Sequence, residues 1–424
     1  MKFIGLISLF LLSGFLAMGQ MALELRGTVR DYDTGEHLPF VSVGLRNGNR
    51  GTIATETGEF SLQVPISALN DTLQFSYMGY GLERIPVATM KGRSVQVKMH
   101  KESFLLAETI VKPLMPEDYV RLAVQRIPEN YANTPAMATG YYYEFTTENA
   151  AFLKFEEAVT ATYVPGILDT LKGHSSVLHA RAAKDVTTLK FMQSRNARKE
   201  KKASKKGREY EPLIASDDLT VGTGGPSDIL GSDPVRERPE FLNPKEFKHI
   251  RFNLERIVAY AGRKLLVITF NQRKNIDHLT AKGKLYIDLD TYAFVAVEYE
   301  GKVVIPALLK PIIAMAGLGI SNPTFNIRVH YREHGGLWHV GSAHQDIDIR
   351  LSTTELFRKN DKSAFHIEQA FVVTELQTDN VQPIPKDQRV KSDKSMTEQA
   401  QFKNPDFWNS YTPVRPKRLE TYTD

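Results

Sequence analysis

The chain has 424 residues, of which 42% are hydrophobic and 24% are charged, and these ordinary fractions exclude a disordered or collagen-like protein. It contains 54 Lys and Arg residues against 49 Asp and Glu residues, which gives a formal net charge of +5. The absence of cysteine excludes disulfides, thiolate metal sites, iron–sulfur clusters, cysteine nucleophiles and lipidation of an N-terminal cysteine.

The first residues have the order that is typical of a secretory signal peptide. A lysine precedes an almost wholly apolar run at 3–18, and the small residues Ala17 and Gly19 favour cleavage before Gln20. A membrane anchor is the alternative, but the apolar run is short for a span. We therefore expect residues 1–19 to be removed. The product should be exported to the periplasm or the outer membrane, without an N-terminal lipid.

Residues 20–112 are predicted to form a small β-sandwich. Short runs of alternating apolar residues are separated by turns, which is the pattern of a sandwich or barrel. The turn at Thr57-Gly58 predicts a tight hairpin between Thr52–Thr55 and Glu59–Val64, with a positive φ at the glycine. The alternating apolar positions are Leu23, Leu25, Val41, Val43, Leu45, Phe60, Leu62, Val64, Leu73, Phe75, Tyr77, Val95, Val97 and Met99.

Several motifs in this region fall in the order of a known family. They read GTVRD at 27–31, TGEHLPFVSV at 34–43, RGT at 50–52, TETGEFSL at 55–62 and FSYMGY at 75–80. Together they resemble the carboxypeptidase-like regulatory domain, and also the N-terminal extension of TonB-dependent outer-membrane receptors. The resemblance implies a transthyretin-like, seven-stranded, non-catalytic sandwich. Glu56 departs from the family pattern, which usually has Asp before the turn, and we expect the fold to be unaffected.

Residues 113–424 are predicted to form a larger, antiparallel, mainly β domain with a few helices. Pro116 and the acids beside it start a helix that ends near Pro128. Alternating apolar residues then predict successive hairpins, and Gly335-Gly336 is the strongest turn signal. The hairpin that begins at Gly283 is faintly similar to the half-barrel of outer-membrane lipoprotein carriers, so we expect a curved sheet or half-barrel.

Further segments resemble uncharacterised envelope proteins of Bacteroidota that carry the regulatory-like module at their N-terminus. Those relatives imply an envelope location and no established activity. The segments are 127–131, 140–145, 155–159, 283–288, 291–293 and 406–408.

The positive charge is concentrated in one run that carries a local charge of +7, so that its removal would change the net charge from +5 to −2. The run indicates contact with an anionic surface such as phospholipid headgroups or lipopolysaccharide, and export argues against nucleic acid as the partner. The alternative, favoured by the composition of residues 193–240, is a flexible solvated insertion. The basic residues are Arg195, Arg198, Lys199, Lys201, Lys202, Lys205, Lys206 and Arg208.

Residues 303–320 are mostly apolar, yet Pro306, Lys310 and Pro311 exclude a membrane span. The simplest interpretation is burial against the sheet as short helices. A flap over a hydrophobic ligand cavity or a contact with a membrane interface is the alternative, which exposure of the segment would favour. The candidate contact residues are Val303, Val304, Ile305, Leu308, Leu309, Ile312, Ile313, Met315, Leu318 and Ile320.

Four histidines invite comparison with a metal site: His330, His334, His339 and His344. His330 and Glu333 form the His-x-x-Glu pattern of the carboxypeptidase catalytic domain. On a strand, however, residues three positions apart point to opposite faces, so these two should not share a metal. We expect ordinary surface histidines and predict no metal ligand.

The aromatic run Tyr141–Phe145 and the acids Glu156 and Glu157 are assigned no catalytic role, because adjacent acids on a strand point to opposite faces. The sequence therefore favours a non-enzymatic envelope protein that binds a protein partner or a cell-surface ligand through its β domains, without a cofactor. A periplasmic carrier of a lipid-like ligand is the alternative. A metal-dependent hydrolase is the third hypothesis.

Overall fold

The structure is a computed structural model that describes residues 22–104, 114–183, 190–191, 193–209, 225–273, 279–315, 317–354, 360–391, 394–404 and 406–411. The predicted signal peptide lies outside the described residues. Among the described residues, no helix is both long enough and apolar enough to cross a membrane.

The N-terminal domain is a seven-stranded β-sandwich, as predicted. One sheet has the order β4-β1-β7 and the other has the order β3-β2-β5-β6. The strands are β1 Ala22–Asp31, β2 Ser42–Leu45, β3 Gly51–Ile53, β4 Glu59–Pro65, β5 Thr72–Ser76, β6 Glu83–Pro86 and β7 Ser94–Met99, with 3-10 helices at Ile66–Asn70 and Val87–Met90. The apolar positions Leu25, Val29, Val43 and Phe75 are fully buried between the two sheets.

The turn at Gly58 is present, but it does not close a hairpin within one sheet. Gly58 has a φ of 73°, and its N–H donates to the Thr55 carbonyl at 2.9 Å. The strands on either side belong to different sheets, since β3 pairs with β2 and β4 pairs with β1. The local turn chemistry is therefore as predicted, whereas the pairing of the flanking strands is not.

The second domain is built on one twelve-stranded sheet, which confirms the predicted antiparallel β-rich domain. Its order is β11-β10-β9-β19-β18-β17-β15-β14-β13-β12-β8, and β16 pairs with β18. Gly335 and Gly336, with φ of 61° and 82°, form the predicted β17–β18 turn. The strands are β8 Ser103–Phe104, β9 Ala136–Glu148, β10 Ala151–Val164, β11 His174–Ala182, β12 Ile250–Tyr260, β13 Arg263–Gln272, β14 Leu279–Asp288, β15 Phe294–Val303, β16 Leu318–Ile320, β17 Thr324–His334, β18 Leu337–Thr353 and β19 Lys362–Gln377.

Short helices cover one face of this sheet, here called the helix-covered face. The helices of the domain are α1 Pro116–Gln125, α2 Ile127–Asn130, α3 Gln193–Ser204, α4 Pro226–Gly231, α5 Pro234–Glu237, α6 Leu309–Met315, α7 Met396–Gln399 and α8 Phe407–Ser410, with 3-10 helices at Glu240–Leu242, Phe247–His249 and Lys386–Gln388. Helices α1, α2, α4, α5 and α7 contribute to the main core on this face, whereas α8 packs near Tyr141 on the opposite face. Directly paired residues of neighbouring strands form a buried row beneath α1, α2, α4 and α5. The row runs Ile268, Leu285, Val297, Val329, Ala343 and Phe371.

The prediction of a flexible insertion over 193–240 is wrong for its C-terminal part. Ile229, Leu230 and Val235 are buried in the main core, because these apolar residues outweigh the polar composition around them. Asp233 accepts the N–H of Val235 at 3.0 Å and the hydroxyl proton of Tyr331, so this segment is tied to strand β17. Burial raises the pKa of Asp233. Residues 210–224 of the predicted insertion lie outside the described residues.

The sandwich packs on the opposite face of the large sheet, here called the groove face. The Arg50 guanidinium lies 2.9 Å from the Glu375 carboxylate, and the N–H of Leu376 donates to the Asn49 carbonyl at 3.1 Å. Gly51 leaves room for the Arg332 side chain, because a Cβ at this glycine would lie only 1.9 Å from Arg332 Nη1. Burial lowers the pKa of Arg332 to about 10.

Candidate functional site

A groove of about 780 Å³ runs across the groove face, beneath Phe40 and Glu56 of the sandwich. It crosses six strands of the large sheet, from β13 to β19, and also reaches Tyr143 of β9. A second cavity of about 340 Å³ continues under the sandwich and shares Phe40, Glu56, Tyr143, Arg328 and His344 with the groove. The two β domains therefore form the walls of this space together.

The groove is polar because the alternation of each strand sends its charged residues to this side of the sheet. One row of directly paired residues crosses five neighbouring strands. A second row lies beside it. The first row is Lys282, Glu300, Asn326, Asp346 and Glu368, and the second begins with Lys284, Glu298, Arg328 and His344.

Many of these charges are paired across strands. Lys282 Nζ lies 2.8 Å from Glu300 Oε1, and the Tyr286 hydroxyl donates to Glu298 Oε2 at 3.2 Å. Burial alone would raise the pKa of Glu298, but the interaction with His330, whose Nε2 lies 3.6 Å away, keeps the pKa below its usual value. The floor of the groove therefore carries positively and negatively charged side chains that are already held in place by their neighbours.

His344, Asp346 and Glu368 form a cluster at the centre of the groove. His344 Nε2 lies 3.4 Å from Asp346 Oδ2, and the Tyr143 hydroxyl donates to Glu368 Oε1 at 2.7 Å. One ligand atom from each of the three residues lies within 4.8 Å of the others. Imidazole and carboxylate ligands suit divalent transition metals. Arg328 opposes a bound cation, because its guanidinium lies 3.7 Å from Asp346.

The sequence identified His344 only as a surface histidine and did not single out Asp346 or Glu368. The spacing of residues on two strands could have indicated this cluster. His344-x-Asp346 on β18 and His366-x-Glu368 on β19 both place two ligand-type side chains on one face of a strand. Asp346 and Glu368 are directly opposite each other in the β18–β19 register, which the sequence did not reveal.

His330 and Glu333 do not converge, in agreement with the expectation that they share no metal. His330 Nε2 lies 3.6 Å from Glu298, whereas Glu333 accepts a hydrogen bond from Arg263 at 2.5 Å. His339 departs from the expectation of a surface histidine. Burial, followed by the neighbouring charges, lowers the pKa of His339 to about 4.

The paired acids on β10 lie on opposite faces, as expected. The Tyr141 hydroxyl donates to Glu157 at 2.5 Å, and Arg181 also contacts this buried carboxylate. Glu156 lies on the helix-covered face with Lys154, whose Nζ is 2.9 Å away. These two carboxylates therefore form separate structural contacts and do not meet in a cleft.

The predicted burial of 303–320 is wrong for its central part. No residue of α6 is buried, and Leu308, Ile312 and Met315 are 86%, 57% and 81% exposed. Ile305 is buried before α6, Leu318–Ile320 pairs with β18 after it, and the Thr354 hydroxyl donates to the Ala314 carbonyl at 2.9 Å. The remaining candidates vary: Val303 and Leu309 are exposed, and Val304, Ile313, Leu318 and Ile320 are partly buried.

The basic run forms helix α3 and the turn that follows it. The side chains of Arg198, Lys199, Lys201, Lys202, Lys205, Lys206 and Arg208 are exposed. Arg195 is an exception at 5% exposure, and its guanidinium packs against Gly317, just beyond α6. The structure therefore places the two surface candidates of the sequence, the basic run and the apolar segment, next to each other.

Comparison with known proteins identifies the N-terminal domain. The family model of the CarboxypepD_reg-like domain matches residues 25–111, which confirms the predicted regulatory-like module. No curated protein matches the chain.

Solved structures provide only distant similarities. A DUF1329 family protein from Desulfovibrio piger is 10% identical, with 63% of this chain and 94% of that chain covered and a TM-score of 0.22. Lipovitellin is 9% identical, with 60% of this chain and 27% of the lipovitellin chain covered and a TM-score of 0.23. A putative membrane-associated protein of unknown function from Bacteroides fragilis is 12% identical, with 84% of this chain and 98% of that chain covered and a TM-score of 0.15. At these TM-scores, none of the three supports a functional argument.

Proposed function

We propose that this chain is a non-enzymatic, exported envelope protein that binds a polar ligand in the groove between its two β domains. The observation that supports the proposal is the groove of about 780 Å³, walled by the sandwich and floored by charged residues of the large sheet. Its volume lies in the range of ligand-binding clefts. The CarboxypepD_reg-like module at 25–111 supplies one wall of the groove through Phe40 and Glu56.

The groove favours an extended ligand that carries both positive and negative groups. The row from Lys282 to Glu368 crosses five strands, which at the usual strand spacing spans about 19 Å. An extended peptide of about six residues has the same length. Phe40 and Tyr143 add aromatic surface to the groove. A polar segment of a protein partner therefore fits this surface best.

Site-specific photo-crosslinking in envelopes tests the proposal. A photoreactive residue in place of Asn326, on the groove floor, should capture one defined partner, whereas the same residue in place of the exposed Gln96 of the sandwich should not. Addition of Arg328→Gln to the Asn326 probe should reduce the yield, because it removes a charge beside the ligand. Equal capture at both positions, or capture that ignores Arg328→Gln, would contradict the proposal.

The alternative of a lipid-like ligand requires a different interior from the one described. The side chains on the helix-covered face, including Leu266, Leu285 and Val297, are fully buried in a packed core. The floor of the groove is charged, and no residue of α6 is buried, whereas a lid closed over an apolar cavity would bury its apolar side chains. Lipid that copurifies in stoichiometric amount with the exported protein would favour the carrier hypothesis over the binding of a polar ligand.

A metal-dependent function is the second candidate, and the cluster of His344, Asp346 and Glu368 is the observation that favours it. Elemental analysis of the purified protein distinguishes it from the leading proposal. Stoichiometric zinc, manganese or iron that is lost on His344→Ala, but retained on His330→Ala, would support the metal-dependent function. Without such metal, polar-ligand binding remains the proposed function.

A further inference from the structure

We infer that helices α3 and α6 form one surface that docks on an anionic phospholipid membrane. The two helices are distant in the sequence but are joined in the fold by Arg195. Its buried guanidinium packs so closely on Gly317 that a Cβ at this glycine would lie 2.2 Å from Nη2. Arg195 thus attaches the basic helix to the end of the apolar one, and the two features act as a unit.

The apolar part of this surface is unusually exposed for a soluble domain. None of the seven residues of α6 is buried, and the large side chains of Leu308, Ile312 and Met315 point to solvent. A contiguous exposed apolar patch marks an interaction site. A helix this short cannot span a bilayer, but it can insert at the boundary between headgroups and acyl chains. Lys310 fits that position, because its flexible stem lets the ammonium group reach the headgroups.

The basic part supplies charge complementarity to anionic headgroups. Beyond Arg195, the run keeps seven exposed cations against one acid, Glu200. Each lysine near an anionic membrane contributes to binding, and such charges act together with apolar insertion. Apolar side chains flanked by a dense basic patch are the combination that an anionic bilayer recognises, whereas a purely apolar or purely basic surface would fit other partners.

Vesicle co-sedimentation of the full chain tests the inference. Vesicles of phosphatidylcholine with phosphatidylglycerol should bind the protein, and vesicles of phosphatidylcholine alone should bind it much less. The double variant Lys201→Gln/Lys202→Gln should weaken binding to the anionic vesicles by roughly 30-fold, since two lysines near the headgroups are lost. Added salt should weaken binding of the wild type more than binding of this variant.

An apolar variant and a matched control complete the test. Leu308→Ser/Met315→Ser should weaken vesicle binding on the order of tenfold or more. Leu168→Ser/Leu171→Ser removes two leucines that are 55% and 63% exposed elsewhere, and it should leave binding unchanged. Circular dichroism checks that each variant is folded. Failure of the wild type to bind anionic vesicles, or equal losses in control and test variants, would overturn the inference and favour a protein partner for α6.

Discussion

His339 on strand β18 should make the stability of the fold depend on pH. Burial first, and then the charges of His334 and Arg332, lower its pKa from 6.5 to about 4 in the folded protein. Below pH 6.5 the unfolded chain therefore binds a proton that the folded chain does not, so acid favours unfolding. The stability is fully present above pH 6.5 and is progressively lost as the pH falls to about 4.

The size of this effect follows from the two pKa values. At about pH 5, linkage between protonation and folding gives a loss of about 2 kcal/mol in the free energy of unfolding. Urea denaturation of the wild type and of His339→Gln at about pH 7.5 and about pH 5 measures it. The variant cannot take up the proton and should lose about 2 kcal/mol less than the wild type between the two pH values.

A control isolates His339 from the other titrating groups. His37→Gln removes an exposed imidazole of the sandwich, and it should keep the pH dependence of the wild type. For each protein, the change in the free energy of unfolding between the two pH values is measured. When these changes are compared between the variants, the contributions of the titrating groups that all three proteins share cancel. If His339→Gln and the wild type lose the same free energy of unfolding between the two pH values, the assignment of a partly buried, neutral His339 is refuted.

Two further substitutions test the packing. Tyr331→Phe should lower the free energy of unfolding by about 1–3 kcal/mol, because the buried Asp233 loses a hydroxyl donor; an unchanged urea midpoint would contradict this. Gly51→Ala should loosen the contact between the sandwich and the sheet, because its Cβ would lie 1.9 Å from Arg332 Nη1. Hydrogen exchange should then be faster at the Leu376 N–H, which crosses this contact, and exchange at the wild-type rate would argue against the clash.

Local patterns in the sequence predict local structure well in this protein. The alternation of apolar residues gives the strands of both domains, and Gly58 and Gly335-Gly336 form turns with positive φ as expected. Turn chemistry does not specify which strand lies next in a sheet. For that reason the pairing of β3 with β2, and of β4 with β1, was not predicted.

The candidate site was less accessible to sequence reasoning, because it depends on long-range register. Asp346 and Glu368 become neighbours only through the β18–β19 pairing, and Phe40 reaches the groove only through docking of the sandwich. The exposure of α6 was also missed. Apolar composition normally predicts burial, and nothing in the residues of 303–320 indicates that the helix would contain no buried residue.

At the end of β15, the groove and the proposed membrane contact are adjacent along the chain. Lys302 lines the groove, and the next residue, Val303, begins the exposed apolar segment. When α6 is seated in a bilayer, this end of the groove lies close to the plane of the headgroups. A partner that is itself anchored in that membrane then arrives by lateral diffusion, so that its encounter with the groove is a search in two dimensions instead of three.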